Sequence, residues 1–279
     1  MRLAGPIDLA ATLHGGQAFR WSREGETWRG AVAASLVTLR ADGAGIIATG
    51  AAKKVIVAYL RLEPAHDASL TRLRRDAILA PAIAAHAGLR LLRQDPWETT
   101  IAFITSANNN VLRIEGILRA IAKRWGEPLS DDMQAFPPPE KLARATDAQL
   151  RACGLGYRAP FVRASAKAIA RGDVDLGSLR GAPLPEIRDA LLPLPGVGPK
   201  VADCIALFSL DADDAFPMDR WMLRAMGDAF FGGVAPKPRE AVDFAAARWG
   251  RDAGLAQQFL FHAVRMGAGA PGTVRLAGK

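Results

Sequence analysis

The hydrophobic pattern of the chain changes its period once, between the first 50 residues and the part that begins near residue 76. Up to Thr49 the sequence consists of short runs of alternating, β-branched or aromatic residues, separated by Gly-containing turns such as Ala41-Asp42-Gly43. This pattern predicts antiparallel strands joined by tight turns. The strand candidates are residues 17–21, 27–33, 35–40 and 44–49.

From residue 76 onward the pattern predicts helices, separated by Gly- and Pro-containing breaks such as Gly126-Glu127-Pro128. The helix candidates are residues 101–106, 111–125, 141–153, 159–171, 184–192, 200–210, 219–230, 238–249 and 255–266. Residues 51–62 fit either a strand or an amphipathic helix, and Asp67 is expected to cap a helix that runs to Arg75. The chain is therefore expected to carry a small β layer followed by a helical body.

Composition narrows the possible classes of protein. Half of the 279 residues are apolar, which excludes global disorder, and no apolar run is long enough to predict a transmembrane helix or a signal peptide. The formal net charge is +8, which favours nucleic acid as a partner, although many folded proteins are mildly basic. The two cysteines, Cys153 and Cys204, cannot hold a four-Cys cluster, and the four histidines form no ligand motif. We therefore expect free thiols, a reducing compartment and no bound transition metal.

The most informative segment is Leu194-Pro195-Gly196-Val197-Gly198-Pro199-Lys200-Val201-Ala202-Asp203-Cys204, between two helix candidates. Its glycines permit a tight turn that directs backbone N–H groups outward, toward a phosphate. An ordinary pair of antiparallel helices would give the same pattern. The segment differs from a P-loop, which requires Gly-Lys-Ser/Thr after a strand.

Lys200 lies at the start of the second helix, where the helix dipole and apolar neighbours favour a neutral, nucleophilic amine. A solvated lysine that touches phosphate is the alternative. Asp219 follows in Phe216-Pro217-Met218-Asp219, where it would cap the next helix. If Asp219 shares a cleft with Lys200, its carboxylate would stabilise a sugar cation or shuttle a proton.

These motifs resemble the helix-hairpin-helix DNA glycosylases that carry a Gly/Pro-rich loop and a catalytic aspartate. Four further segments look like 8-oxoguanine DNA glycosylase, and the resemblance runs from about residue 7 to residue 265. The segments are Gly16-Gln17-Ala18-Phe19-Arg20-Trp21, Leu91-Leu92-Arg93-Gln94-Asp95-Pro96, Asn108-Asn109-Asn110-Val111-Leu112-Arg113 and Gly154-Leu155-Gly156-Tyr157-Arg158. The resemblance implies an α+β fold: a small N-terminal antiparallel β-sheet domain (1–87) and an all-helical body (88–279) with the helix-hairpin-helix at about 184–210.

The resemblance also implies roles for individual residues. Lys200 matches the nucleophile that forms a Schiff base with the sugar, and Asp219 matches the catalytic carboxylate. Gly16 matches the glycine whose carbonyl accepts the N7–H that 8-oxoguanine has and guanine lacks. Three residues match those around the flipped base: Gln257 at its Watson–Crick edge, with Phe261 and Cys204 on its two faces.

A second group of residues matches those that contact the opposite strand and the backbone. Asn108, Arg113 and Arg158 match the residues that hold the orphaned cytosine, and their donors and acceptors suit its edge. Tyr157 matches the wedge that fills the vacated space. The hairpin glycines Gly196 and Gly198 match the backbone-gripping turn, where a monovalent cation is also implied. Without the resemblance, the Asn triplet would be read as a turn and cap, Gln257 as a surface residue, Phe261 as part of the core and Tyr157 as a half-buried loop aromatic.

The implied activity is excision of 8-oxoguanine opposite cytosine from double-stranded DNA, with cleavage of the resulting abasic site. No further cofactor and no membrane are implied, and we expect a monomer located with the chromosome, cytoplasmic if bacterial and nuclear if eukaryotic. The alternatives are an alkylated-base glycosylase of the same fold, a non-catalytic helix-hairpin-helix DNA-binding protein, and a lyase with weak base preference. The chain departs from the family where a histidine and an acidic residue are usual: here they are Trp221 and Val264, which we expect to pack together.

Overall fold

The N-terminal part of the protein forms one antiparallel sheet. The computed structural model describes residues 1–265. Within these residues the strands are β1 (Arg2–Ala4), β2 (Trp21–Glu24), β3 (Thr27–Val32), β4 (Ser35–Asp42) and β5 (Gly45–Thr49). Their order in the sheet is β1-β5-β4-β3-β2, and Trp28 of β3 faces Leu39 of β4. The predicted α+β fold class is thereby confirmed.

The predicted strand at residues 17–21 is wrong, because only Trp21 at its end joins β2. Gln17 lies instead in a buried loop, where its side-chain amide forms hydrogen bonds with backbone groups of other segments. Its Nε2 donates to the carbonyls of Thr12 and Arg90 at 2.9 and 2.8 Å, and its Oε1 accepts from the Leu92 amide at 2.9 Å. This loop therefore ties the sheet to the segment that enters the helical body.

Fourteen α-helices are described in residues 1–265. They are α1 (Leu9–Leu13), α2 (Lys53–Tyr59), α3 (Pro64–Leu73), α4 (Ala80–Ala85), α5 (Pro96–Ser106), α6 (Val111–Trp125), α7 (Pro139–Arg144), α8 (Asp147–Ala152), α9 (Ala159–Ala170), α10 (Leu184–Leu191), α11 (Pro199–Ser209), α12 (Arg220–Phe230), α13 (Pro238–Trp249) and α14 (Ala253–Arg265). The predicted helices in the body are therefore present, except that one candidate is split in two and Met266 lies outside the described residues.

Two helix predictions are wrong in detail, for local reasons. Asp67 is not a cap: α3 begins earlier, at Pro64, and Asp67 lies in its first turn. The single helix expected over residues 141–153 is broken between α7 and α8. Thr146 forms a capping box with Gln149, in which each side chain bonds the other residue's backbone amide. The ambiguous segment at residues 51–62 contains the helix α2.

Two apolar clusters stabilise the fold. One fills the space under the sheet and includes Trp21, Trp28 and Ile46. The larger one surrounds α5 and α11 and also contains apolar residues from α3 and α4. The division of the chain at residue 87 remains a prediction. No helix among residues 1–265 has the length and apolar character needed to cross a membrane.

Candidate active site

The predicted hairpin is formed by α10, a turn and α11. Gly196 in the turn has φ +85°, a conformation that favours glycine. A Cβ at this position would also lie 3.0 Å from Cβ of Phe161 and 3.1 Å from Cγ2 of Ile104. The turn is held from outside by Ser165, whose hydroxyl donates to the Pro195 carbonyl at 3.1 Å. Gly198 is the exposed N-cap of α11, with Pro199 as the first residue of the helix.

An ion pair joins the two helices of the hairpin. Arg188 on α10 donates from Nε and Nη2 to both oxygens of Asp203 on α11, at 2.7 and 3.0 Å. The Asp203 side chain is only 6% exposed. Because Asp203 lies one turn after Lys200, this pair fixes the rotation of α11 and hence the direction in which Lys200 projects.

The end of α5 provides the surroundings of the Lys200 amine. Lys200 Nζ lies 5.1 Å from the centre of the Phe103 ring and 3.5 Å from Oγ of Ser106. The Ser106 hydroxyl donates to the Phe103 carbonyl at 2.7 Å, so its lone pairs face the amine. Neither Phe103 nor Ser106 was identified from the sequence, although they lie five and two residues before the Asn triplet.

Cys204 links Lys200 to Asp219. Burial raises the pKa of the Cys204 thiol to about 11, and the positive charge of Lys200 beside it opposes that effect while the charge of Asp219 adds to it. The thiol is therefore a neutral apolar surface at physiological pH. Lys200 and Asp219 therefore both lie within electrostatic range of the Cys204 sulfur.

Asp219 is the N-cap of α12. Its Oδ1 accepts a hydrogen bond from the Met222 amide at 2.8 Å, which fixes the orientation of the carboxylate. The capping interpretation of Asp219 is thus correct. The carboxylate is half-buried, and this position also leaves its second oxygen for a substrate.

Gly16 and Phe261 are in direct contact. Gly16 has φ +83°, and a Cβ on it would lie 2.9 Å from Cε1 of the Phe261 ring. The adjacent residue Gly15 accepts a hydrogen bond from Nε2 of Gln258, on α14, at 3.0 Å. A side chain at position 16 would therefore displace the Phe261 ring, and α14 holds the glycine loop in place.

Gln257 carries an unpaired acceptor in the same region. The residue is 5% exposed, and its Nε2 donates weakly, at 3.4 Å, to the carbonyl of Pro217. Its Oε1 is buried without a hydrogen-bond partner among the described residues. A buried amide oxygen without a partner is costly, and a ligand that donates to it removes that cost.

Arg158 binds the loop that carries Asn108. The guanidinium is buried and donates from Nε to the Ala107 carbonyl at 2.9 Å and from Nη2 to the Asn108 carbonyl at 3.0 Å. Asn108 adopts φ +50°, in the left-handed region that asparagine tolerates better than most residues with a side chain. Tyr157 is 55% exposed, and its ring lies 4.4 Å from the Arg158 guanidinium carbon. Arg113, in the first turn of α6, is exposed.

Trp221 lies at the surface, and its packing against Val264 remains a prediction. It is 59% exposed on the first turn of α12, and its ring lies 5.5 Å from the guanidinium carbon of Arg224. The exposed indole is thus paired with a cation at the surface instead of being packed into a core.

The residues of the hairpin turn are compatible with the implied monovalent cation. The ligands available there are backbone carbonyl oxygens, which suit such an ion. The carbonyls of Leu194 and Pro195 already accept one hydrogen bond each, from the Val197 amide and the Ser165 hydroxyl. Such an ion would bind through the turn's backbone and would hold it in shape. Among residues 1–265, no group of His, Cys, Asp and Glu is arranged to bind a metal.

The fold and the site together define a DNA glycosylase of the helix-hairpin-helix class. The sequence matches the HhH-GPD superfamily of base excision DNA repair proteins over residues 101–251 and the N-terminal domain of 8-oxoguanine DNA glycosylase over residues 4–100. The chain belongs to this 8-oxoguanine DNA glycosylase family, as its motifs predicted, and it is an enzyme of base excision repair.

Known proteins resemble the chain along most of its length. The N-glycosylase/DNA lyase OGG1 of Arabidopsis thaliana is 34% identical over 281 residues, which cover 91% of this chain and 76% of that protein. The structure of MBOgg1 with a low-affinity DNA ligand has a TM-score of 0.90 at 30% identity and covers 96% of this chain and 95% of that one. The Clostridium acetobutylicum 8-oxoguanine glycosylase/lyase, bound to double-stranded DNA with cytosine opposite 8-oxoG, has a TM-score of 0.87 at 30% identity and covers 94% and 93%.

Proposed function

We propose that the protein removes 8-oxoguanine opposite cytosine from duplex DNA through a Schiff base on Lys200, and then cleaves the strand at the abasic site. The observation that carries the proposal is the position of the Lys200 amine beside Cys204, whose thiol also lies within range of the Asp219 charge. A nucleophilic amine and a carboxylate that reach the same sugar are the combination that displacement at a sugar carbon needs. The DNA-bound Clostridium acetobutylicum enzyme supports the choice of substrate.

The first step requires the damaged nucleotide outside the duplex, because C1′ cannot be reached within the stack. Gly16 accepts the N7–H of the base, Gln257 Oε1 accepts from its Watson–Crick edge, and Phe261 and Cys204 contact its two faces. Guanine lacks the N7–H and would oppose the Gly16 carbonyl with a lone pair. Discrimination against guanine follows from this repulsion.

In the second step the neutral amine of Lys200 forms a bond to C1′ as the N-glycosidic bond breaks, and the departing base takes the bonding electrons and the proton that the amine loses. The Asp219 carboxylate stabilises the positive charge that develops on the sugar. The sugar ring opens to give an iminium on Lys200, loss of a C2′ proton follows, and the 3′ phosphate leaves by β-elimination. The opposite cytosine is held by Asn108, Arg113 and Arg158, and Tyr157 fills the space that the flipped base has left. In this proposal the enzyme acts as a monomer located with the chromosome.

Borohydride trapping tests this mechanism, because it reduces the Schiff base to a stable covalent adduct. The substrates are duplexes with 8-oxoguanine opposite each of the four bases. Lys200→Gln should lose trapping and strand cleavage but still bind the damaged duplex. Lys167→Gln, which removes an exposed lysine of α9, is the matched control and should trap like the parent. Parent-level trapping by Lys200→Gln would disprove the Schiff-base assignment.

A further inference from the structure

Arg265, in the last turn of α14, takes no part in the chemistry proposed above. It follows Phe261 by four residues, so the two side chains project from the same face of the helix. Its Nη1 donates to the carbonyl of His14 at 2.9 Å, two residues before Gly16. The side chain thus reaches from α14 to the glycine loop.

Gly16 is the point at which Phe261 and Arg265 meet. A Cβ on Gly16 would lie 2.9 Å from Cε1 of Phe261 and 3.3 Å from Nη1 of Arg265. The guanidinium therefore borders the wall that Gly16 and Phe261 form. Arg265 is exposed whereas Gln257 on the same helix is buried, so in the proposed function the guanidinium lies at the entrance of the base site and Gln257 lies deeper.

Among residues 1–265, most hydrogen-bond donors of Arg265 have no protein partner. A guanidinium has five N–H groups, and the bond to His14 uses one of them. In the described part of the chain no carboxylate forms an ion pair with Arg265. Its positive charge adds to the burial that lowers the pKa of His262 to about 4. The entrance of the proposed base site thus carries a positive charge whose donors are mostly unpaired among the residues that the structure describes.

We infer that Arg265 binds a phosphate of the flipped nucleotide. The base enters the base site while the phosphodiester stays at its entrance, where the guanidinium lies. Arginine pairs with phosphate through two parallel N–H groups, and the His14 carbonyl orients the guanidinium before DNA arrives. This inference rests on the proposed function, because it places the nucleotide next to Gly16. Arg265 contacts substrate outside the reacting atoms and determines affinity for the extrahelical nucleotide.

The test compares two duplexes that share the phosphates but not the base. One contains 8-oxoguanine opposite cytosine, and the other contains a tetrahydrofuran abasic analogue at the same position. Dissociation constants of Arg265→Ala are measured at several salt concentrations. We expect both duplexes to bind about 10-fold more weakly, and the slope of log affinity against log salt to become shallower by about 1. Arg265→Lys keeps the charge and should keep the slope.

Arg239→Ala is the control for the loss of one positive charge. The Arg239 side chain is 94% exposed on α13, and its removal should change neither affinity nor slope. A loss confined to the 8-oxoguanine duplex would overturn the inference in favour of a contact with the base. An unchanged slope with a lower melting temperature would also overturn it, since Arg265 would then only anchor the His14 loop. Failure of the proposed function would appear separately, as absence of excision and trapping by the parent protein.

Discussion

At the scale of single residues, a substitution of Asp219 distinguishes its role as a helix cap from its role in catalysis. Asp219→Asn retains an oxygen that accepts from the Met222 amide, so stability should fall by no more than about 1 kcal/mol. The negative charge is lost, and excision should slow by about 10²–10³-fold while binding persists. Single-turnover excision and thermal melting measure the two effects. Unfolding of Asp219→Asn with full activity in the remaining folded fraction would make the cap the whole role of this residue.

Arg113 and Arg158 should differ when each is replaced by alanine, although both are predicted to face the opposite cytosine. Arg113→Ala removes an exposed donor and should relax the preference for cytosine over adenine by about 1–3 kcal/mol, with little change in melting. Arg158→Ala should also lower the melting temperature, because the carbonyls of Ala107 and Asn108 lose their donors. Excision opposite cytosine and opposite adenine is compared in both variants. Equal preference ratios in the parent and both variants would place the cytosine site elsewhere.

The sequence predicted which residues meet at the site better than it predicted how they are held. Lys200, Asp219 and Asn108 lie in recognisable motifs. The Arg158 contact with Ala107 uses a backbone carbonyl, which leaves no signal in the identity of the accepting residue. The same holds for the contact of Arg265 with His14, which joins positions far apart in the chain.

At the scale of elements, the Arg188–Asp203 ion pair joins the two helices of the hairpin. Arg188→Ala would leave the Asp203 carboxylate buried without its partner, and we expect the free energy of unfolding to fall by about 3 kcal/mol. Replacing both residues by leucine should recover most of this loss, because no buried charge remains. Urea unfolding of Arg188→Leu, Asp203→Leu and the double leucine variant measures the coupling. A loss below about 0.5 kcal/mol in Arg188→Ala would show that packing alone holds α11.

Element boundaries followed from sequence where the signals were local. Helix α6 lies at the predicted residues 111–125, because Asn110 caps its start and Gly126 follows its end. By contrast β1 and α1 escaped prediction. They have three and five residues, too few for a periodic pattern, and they form through distant partners such as Arg2 with Ile47 and Asp8 with Gly88.

At the scale of the whole molecule, charged side chains connect segments that are distant in sequence. Arg61 follows α2 and donates to the carboxylates of Asp211 and Asp213, after α11. Arg93 donates to the carboxylates of Asp211 and Glu63. These contacts span up to 152 positions, so composition and periodicity could not reveal them. They determine how the segment after α2 packs on the helical body.

His66, on α3, gives the molecule a pH-dependent stability that can be measured. It is buried, and its Nε2 accepts from the Leu91 amide at 3.4 Å. Burial lowers the pKa of His66 to about 3, and the charges of Arg90 and Arg61 add to this effect. The imidazole is therefore neutral in the folded protein at pH values where the unfolded chain, with a pKa near 6.5, binds a proton. The neutral imidazole therefore costs no stability above about pH 6.5. The free energy of unfolding falls as the pH drops from about 6.5 toward about 3, because only the unfolded chain binds the proton in that range.

His66→Gln should remove that dependence, because glutamine keeps an acceptor for Leu91 but does not titrate. Between about pH 6 and pH 4, the free energy of unfolding of the parent should fall faster than that of the variant, by up to about 1.4 kcal/mol per pH unit. We expect the variant to be less stable at pH 7, because glutamine packs less well than histidine at this position. The difference in the free energy of unfolding between the two proteins should therefore shrink as the pH falls. His262, whose pKa is also lowered, is present in both proteins and cancels in the comparison. Denaturant unfolding at pH 7, 6, 5 and 4 provides the curves, and parallel curves would show that His66 is protonated alike in both states.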